Sequence, residues 1–210
     1  MLRAIRSVVG AAAVLFGGVL LAQPKEAPKD APKDAAADNY FPLKKDSKWT
    51  YKVGDNFVEV RVAKVEKVNN EDQYTLETVV GKDAKTSEVI VVRSDGVYRT
   101  KVKEEKLDPA VKILPLPPKK DVTWEVNSKL GAQTVKGTLK VADDKETITI
   151  LGTKYDTIRV EGKDIDVAGA KTSVKTWYAK DKGIVKVEFV LQTGDKVTEE
   201  LKSYETGEAK

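Results

Sequence analysis

The chain has 210 residues, 40% of them apolar and 33% charged, and its 37 basic and 33 acidic side chains interleave to a formal charge of +4. That charge is too small and too evenly spread for a nucleic-acid-binding face, which needs a clustered basic surface. With no cysteine and no histidine, the chain has no disulfide framework, no thiolate metal site and no lipid-modified cysteine, and it lacks the commonest general base and transition-metal ligand.

Residues 1–22 read as a secretory leader. Arg3 and Arg6 give a basic start, and Val8 to Ala22 is an unbroken run of 15 apolar or glycine residues. That is short of the roughly 20 residues a permanent membrane span needs. Cleavage is expected after Ala22, leaving Gln23 at the mature terminus and no transmembrane span. Loss of the two arginines takes the charge from +4 to +2. The rival reading is an uncleaved N-terminal anchor. On the leader reading the protein is exported, to the periplasm or the extracellular space.

Residues 23–39 carry Ala-Pro-Lys-Asp twice in tandem, at 27–30 and 31–34, with no aromatic or β-branched residue. Such a segment has nothing to bury and is expected to be a disordered linker. The remainder, 40–210, is expected to form a single antiparallel β domain, since roughly 170 residues can bury a self-sufficient core.

From Tyr40 the dominant signal has period two. Val58, Val60 and Val62 alternate with Glu59 and Arg61. The phase slips near Ala63-Lys64, which predicts a β-bulge; a helix over 57–68 is the alternative, opposed by its β-branched valines. Val135, Leu139 and Val141 alternate with Thr134, Lys136, Thr138 and Lys140, with Gly137 on the apolar face. Val185, Val187, Phe189 and Leu191 continue the pattern. Alternation of this kind turns one face to a core and the other to water.

Turn signals separate these runs: Gly54-Asp55-Asn56, Asn69-Asn70-Glu71-Asp72, Ser94-Asp95-Gly96, Ala142-Asp143-Asp144 and Gly194-Asp195. Their residues accept positive φ or cap a turn with a short polar side chain. Gly183, after the polar turn that follows Trp177-Tyr178-Ala179, is placed where a positive φ is needed. The count is about ten or eleven strands, in a sandwich, a barrel or a strongly curved sheet.

Lys106 to Pro118 breaks the rhythm with four prolines. Asp108-Pro109 could open a short helical turn. Ile113, Leu114 and Leu116 then lie among prolines that cannot donate ladder bonds, so the segment is expected as a plug across one end of the sheet or a lid over a cavity.

There is an internal echo 75 residues apart. Pro42-Leu43-Lys44-Lys45-Asp46-Ser47-Lys48-Trp49 resembles Pro117-Pro118-Lys119-Lys120-Asp121-Val122-Thr123-Trp124. Either both are strand beginnings with similar needs, or the domain has two related halves.

Taken together, Tyr40-Phe41-Pro42-Leu43, Trp49-Thr50-Tyr51, Trp177-Tyr178-Ala179 and Gly183-Ile184-Val185-Lys186 resemble a group of exported bacterial β-proteins related to TapB-like domains. Ile150 to Asp156 with Ile158-Arg159-Val160 is similar to the group's middle strand pair. The resemblance implies a curved antiparallel half-barrel similar to the lipoprotein-localisation factors, and it implies no catalytic residue. Asp46 and Asp121 stand where the group has glycine in a lead-in turn; aspartate tolerates the left-handed region better than most residues. Lys180-Asp181 replaces a proline-glycine type of pair.

Catalysis finds little to work with. The serines sit in no nucleophile pattern, and no phosphate-binding glycine loop is present. Asp143-Asp144, Asp164-Asp166 and Glu199-Glu200 are paired acids, but in turns or beside lysines, where solvated surface is the default. Asp164-Ile165-Asp166 lacks the rest of a calcium loop. The protein is therefore read as a non-enzyme without cofactor or metal.

The aromatics are the better candidates. Trp49, Tyr51, Trp124, Trp177 and Tyr178 either fill the core or, with Ile113, Leu114 and Leu116, line a site for a lipid or other apolar ligand on the concave face of the sheet. Trp177 and Tyr178, being adjacent in a strand, face opposite sides. The alternative is a module that offers its edges to an envelope protein partner. Two acids facing each other across a cleft would instead point to a carboxylate enzyme.

Overall fold

Twelve antiparallel strands follow one another in chain order in a computed structural model that describes residues 40–207. They are β1 (Lys48–Val53), β2 (Asn56–Val68), β3 (Glu71–Val80), β4 (Asp83–Arg93), β5 (Gly96–Val102), β6 (Glu105–Pro115), β7 (Thr123–Leu130), β8 (Gln133–Ile150), β9 (Thr153–Val167), β10 (Ala170–Ala179), β11 (Gly183–Val190) and β12 (Lys196–Glu205). The leader and linker expected over 1–22 and 23–39 lie outside the described residues.

The expected half-barrel of ten or eleven strands is corrected to a closed barrel of twelve. Every residue of β1 pairs with β12, from Lys48 opposite Glu205 to Val53 opposite Glu199. That pairing removes both edges an open sheet would leave exposed. The expected plug or lid over Lys106–Pro118 is also corrected. Most of it is β6, paired with β5 from Gly96 opposite Pro115 to Val102 opposite Glu105. Asp108-Pro109 opens no helical turn; both residues are strand. Prolines are tolerated because β6 has a poorly used side: it pairs with β7 only at Leu107–Leu130 and Asp108–Lys129. A missing N–H costs nothing where no ladder bond is made.

Ala142-Asp143-Asp144 is likewise not a turn. It lies inside the 18-residue β8, at register shifts between Val141 and Glu146. The triplet is absorbed as an irregularity that bends the strand. The bulge near Ala63 is present: the register with β3 shifts between Val62 and Lys64.

Strand register sorts the side chains. Tyr51, Val58, Leu76, Ile90, Val97, Leu139, Val160, Val187 and Leu201 point inward and all are nearly or fully buried. Outward positions carry cross-strand ion pairs such as Arg61–Glu77, Lys175–Glu161 and Lys186–Glu200, where a lipid-facing barrel would carry an apolar band. Interiors of roughly eight strands are just filled by side chains, so twelve would leave a lumen if round. Here the walls come together at one end. The Tyr178 hydroxyl on β10 donates to the Ile113 carbonyl on β6 at 3.3 Å, four strands away round the ring.

Candidate functional site

The two ends of the barrel differ. One end carries the β2–β3, β4–β5, β6–β7, β8–β9 and β10–β11 connections and the lead-in over 40–47. It is packed shut. Phe41 and Leu43 are buried beneath it, with the Phe41 and Tyr178 rings 6.2 Å apart. Trp49 Nε1 donates to the Lys182 carbonyl at 2.7 Å, and the Tyr51 hydroxyl to the Ile184 carbonyl at 2.9 Å. These bonds satisfy the polar tips of large side chains whose bodies fill the core.

The other end carries the β1–β2, β3–β4, β5–β6, β7–β8, β9–β10 and β11–β12 turns. Leu107 and Leu130 are buried there, but several other inward-facing apolar side chains are only half-buried. They include Val53, Val111, Ile165, Val174, Phe189 and Val197. Register fixes their direction: Val53 lies opposite Glu199, Phe189 opposite both Val174 and Val197, and Ile165 opposite Thr172. Gly137 and Gly162 sit on the same face, and the Ile165 side chain folds into the space they leave.

Between this open end and the packed core lies a polar layer. Glu88 shares the inward face of β4 with Ile90; Arg99 shares that of β5 with Val97. Arg99 Nε donates to Glu88 Oε2. The Arg99 side chain keeps 35% of its surface, and Glu88 18%, so the pair sits in a space that water reaches. Burial disfavours the Arg99 charge, but the Glu88 carboxylate outweighs it and raises the guanidinium pKa. Glu199 faces inward from β12, opposite Val53 and Val187. Burial, and then the charge of Glu88, raise its carboxyl above the ordinary value. The Tyr51 phenol is pushed up by burial first, then by Glu199 and Glu88. Tyr178 is raised chiefly by burial, with Arg99 opposing.

No family model matches the chain, and no curated protein does. Among solved structures it is similar to a candidate lipoprotein from Parabacteroides distasonis ATCC 8503, at 10% identity and a TM-score of 0.48 over 80% of this chain and 99% of that one. It is also similar to a candidate exported protein with a YmcC-like fold from Bacteroides fragilis NCTC 9343, at 12% identity and a TM-score of 0.42, with the same coverage. At these levels the likeness assigns no activity to the chain.

Of the residues singled out from sequence, Trp49, Tyr51, Trp177, Tyr178, Ile113, Leu114 and Leu116 are all buried in the main cluster. Tyr51 and Tyr178 belong to the polar layer; the others do not. Trp177 faces away from Tyr178, donating to Glu146 Oε2 at 3.1 Å with Lys186 over its ring. Trp124 is half-buried, and its Nε1 donates to the Lys112 carbonyl at 2.8 Å. Asp46, Asp121 and Gly183 have φ of 65°, 67° and 81°.

Trp124 also lines a second concavity. The β6–β7 seam opens into a cleft of about 300 Å³ bordered by Tyr98, Pro109, Lys112, Trp124 and Asn127. Side chains from β7 replace the missing ladder there: Trp124 reaches Lys112, and Ser128 Oγ donates to the Pro109 carbonyl at 2.6 Å. A groove of about 470 Å³ on the outer wall, beside Asp46, Lys48 and Glu77, has its Arg61 already bound to Glu77. Among the described residues no group of acids could hold a metal ion, and no helix is long and apolar enough to cross a membrane.

Sequence reasoning missed Glu88, Arg99 and Glu199. Each is a charge in phase with apolar neighbours two residues away: Glu88 with Ile90, Arg99 with Val97, Glu199 with Val197 and Leu201. That phase is the signal that could have found them. The sequence pairs Glu199 with Glu200 beside lysines, where solvated surface is the default. Only Glu200 fits, lying 3.7 Å from Lys186.

Proposed function

We propose that the chain is an exported, non-enzymatic envelope protein whose barrel holds an apolar or amphipathic molecule at its open end. The cleaved leader, the linker over 23–39 and the kinship with TapB-like exported proteins belong to this reading. The observation that supports it best is the set of inward-facing but half-buried apolar side chains at one end, Val53, Val111, Ile165, Val174, Phe189 and Val197. Apolar surface held concave and open to water gains free energy when a ligand covers it. Tyr51 and Tyr178 then form the depth of the site, and the remaining aromatics hold its walls. A test is native mass spectrometry of the purified protein, with displacement of an environment-sensitive dye by a panel of lipids. Binding tighter than about 100 μM, near −5.5 kcal/mol, is expected for at least one amphiphile. No binding across the panel, and no co-purified ligand, would end this reading.

A second reading is favoured by the β6–β7 seam, where only two positions pair and most of the facing sides of the two strands make no backbone ladder with each other. An extended segment of an envelope partner could add itself there. Hydrogen exchange should then find the amide of Lys112, whose carbonyl faces β7, exchanging faster than those of β8 and β9; equal protection would argue against an available seam.

A further inference from the structure

Resting on the ligand reading above, we infer that the amphiphile is one with a cationic, amine-type headgroup, received by Glu199, with its chain lying among the apolar side chains of the open end. The polar layer holds two carboxylates, Glu88 and Glu199, and one guanidinium, Arg99. Arg99 is committed to Glu88 through Nε. Among the described residues no lysine or arginine pairs with Glu199, and the one charge acting on it there is another acid, Glu88.

Glu199 is placed by its strand. Val53 and Val187 flank it across the ladder, and Val197 and Leu201 stand on its own face of β12. Glu199 is partly buried, and a carboxylate partly dehydrated among valines has no cation to offset that loss until a partner arrives. An ammonium group would supply the opposite charge and a charge-assisted hydrogen bond. The same position repels a carboxylate headgroup, which would meet Glu199 and Glu88 together. A neutral hydroxyl headgroup gains only an ordinary hydrogen bond. The mouth next to Glu199 suits a chain, since Phe189 and Val197 lie opposite each other one position nearer the opening. The charge arithmetic therefore selects among amphiphiles that the apolar lining alone would treat alike.

The experiment compares three probes of equal chain length at pH 7, dodecylamine, dodecanol and dodecanoate, by calorimetry on the wild type, Glu199→Gln and Glu88→Gln. The wild type should bind dodecylamine at least about tenfold tighter than dodecanol, and dodecanoate weakest. Glu199→Gln should erase the amine preference while dodecanol binding persists. Glu88→Gln frees Arg99 and should raise dodecanoate affinity. Circular dichroism checks that both variants are folded. If dodecanol binds but dodecylamine gains nothing over it, or the gain survives Glu199→Gln, the headgroup assignment is overturned and the ligand reading stands. If none of the three binds, the headgroup assignment is overturned, and the ligand reading falls with it when the lipid panel also finds no binding and no ligand co-purifies.

Discussion

Asp46 and Asp121 make the same hook at the start of two six-stranded runs. Their φ angles are 65° and 67°. The Asp46 N–H donates to the Val62 carbonyl and the Asp121 N–H to the Val141 carbonyl, each at 2.9 Å. The Val62 N–H returns to the Ser47 carbonyl and the Val141 N–H to the Val122 carbonyl, again at 2.9 Å. Each hook then leads into a tryptophan strand: Trp49 opposite Val60, Trp124 opposite Leu139. The echo in the sequence is thus an echo in geometry, and β1–β6 and β7–β12 begin alike. Because the left-handed region is costly for β-branched side chains, Asp46→Val and Asp121→Val should each lower the urea midpoint, whereas Asp46→Gly and Asp121→Gly should not. Equal midpoints for valine and glycine variants would show that the hooks carry no strain.

Much of the fold was legible in local patterns. Alternating valines in β2 and β11 declared strands, and the phase slip at Ala63 declared a bulge. Closure was not legible, because nothing in β1 or β12 says locally that their edges meet; that pairing joins opposite ends of the domain, such as Lys48 and Glu205. Pro109 and Pro115 masked β6, since proline argues against a strand only where the N–H is needed. Asp143 and Asp144 masked the continuity of β8 in the same way, by looking like a turn. The aromatics drew attention to the core rather than to the open end, whose marks are single charges in an apolar phase.

Gly183 closes the β10–β11 turn with φ of 81°, and a Cβ there would lie 3.4 Å from Pro42 and from the Trp49 indole. Gly183→Val should destabilise by about 1–3 kcal/mol, read as a fall in denaturant midpoint with unchanged slope. Coincident midpoints would contradict the turn assignment.

Gly162 faces inward, where a Cβ would meet Leu139 Cδ2 at 2.7 Å and Ile165 Cγ1 at 3.0 Å. Gly162→Ala should cost about 1–3 kcal/mol by overpacking. Shortening the neighbour with Ile165→Ala should recover part of that loss in the double variant. Strict additivity of the two changes, measured by thermal melts, would show that they do not compete for the same space.

Glu199 gives a pH signature. Its folded-state carboxyl is raised from the ordinary 4.5, by burial first and Glu88 second. The groups facing it are Glu88 and Tyr51, with Val53 and Val187 across the ladder. Below about pH 4 both folded and unfolded chains hold the proton and the group is neutral in its effect. As pH rises through the unfolded value, the unfolded chain ionises first and the folded state loses stability until its own pKa is passed. Glu199→Gln does not titrate, so its stability advantage over the wild type should widen from about pH 4 to pH 7. A difference that stays flat would mean that the carboxyl is not perturbed.

The ligand reading is tested most directly by a reporter inside the open end. The chain has no cysteine, so Phe189→Cys can carry a single environment-sensitive fluorophore at the mouth. Leu151→Cys, exposed in the β8–β9 turn at the closed end, serves as the control. Titration with dodecanol and with lysolipid should give a saturable blue shift from the Phe189 position at concentrations below about 100 μM, and none from the Leu151 position. Identical responses at both positions, or no response at either, would contradict a ligand site at the open end of the barrel.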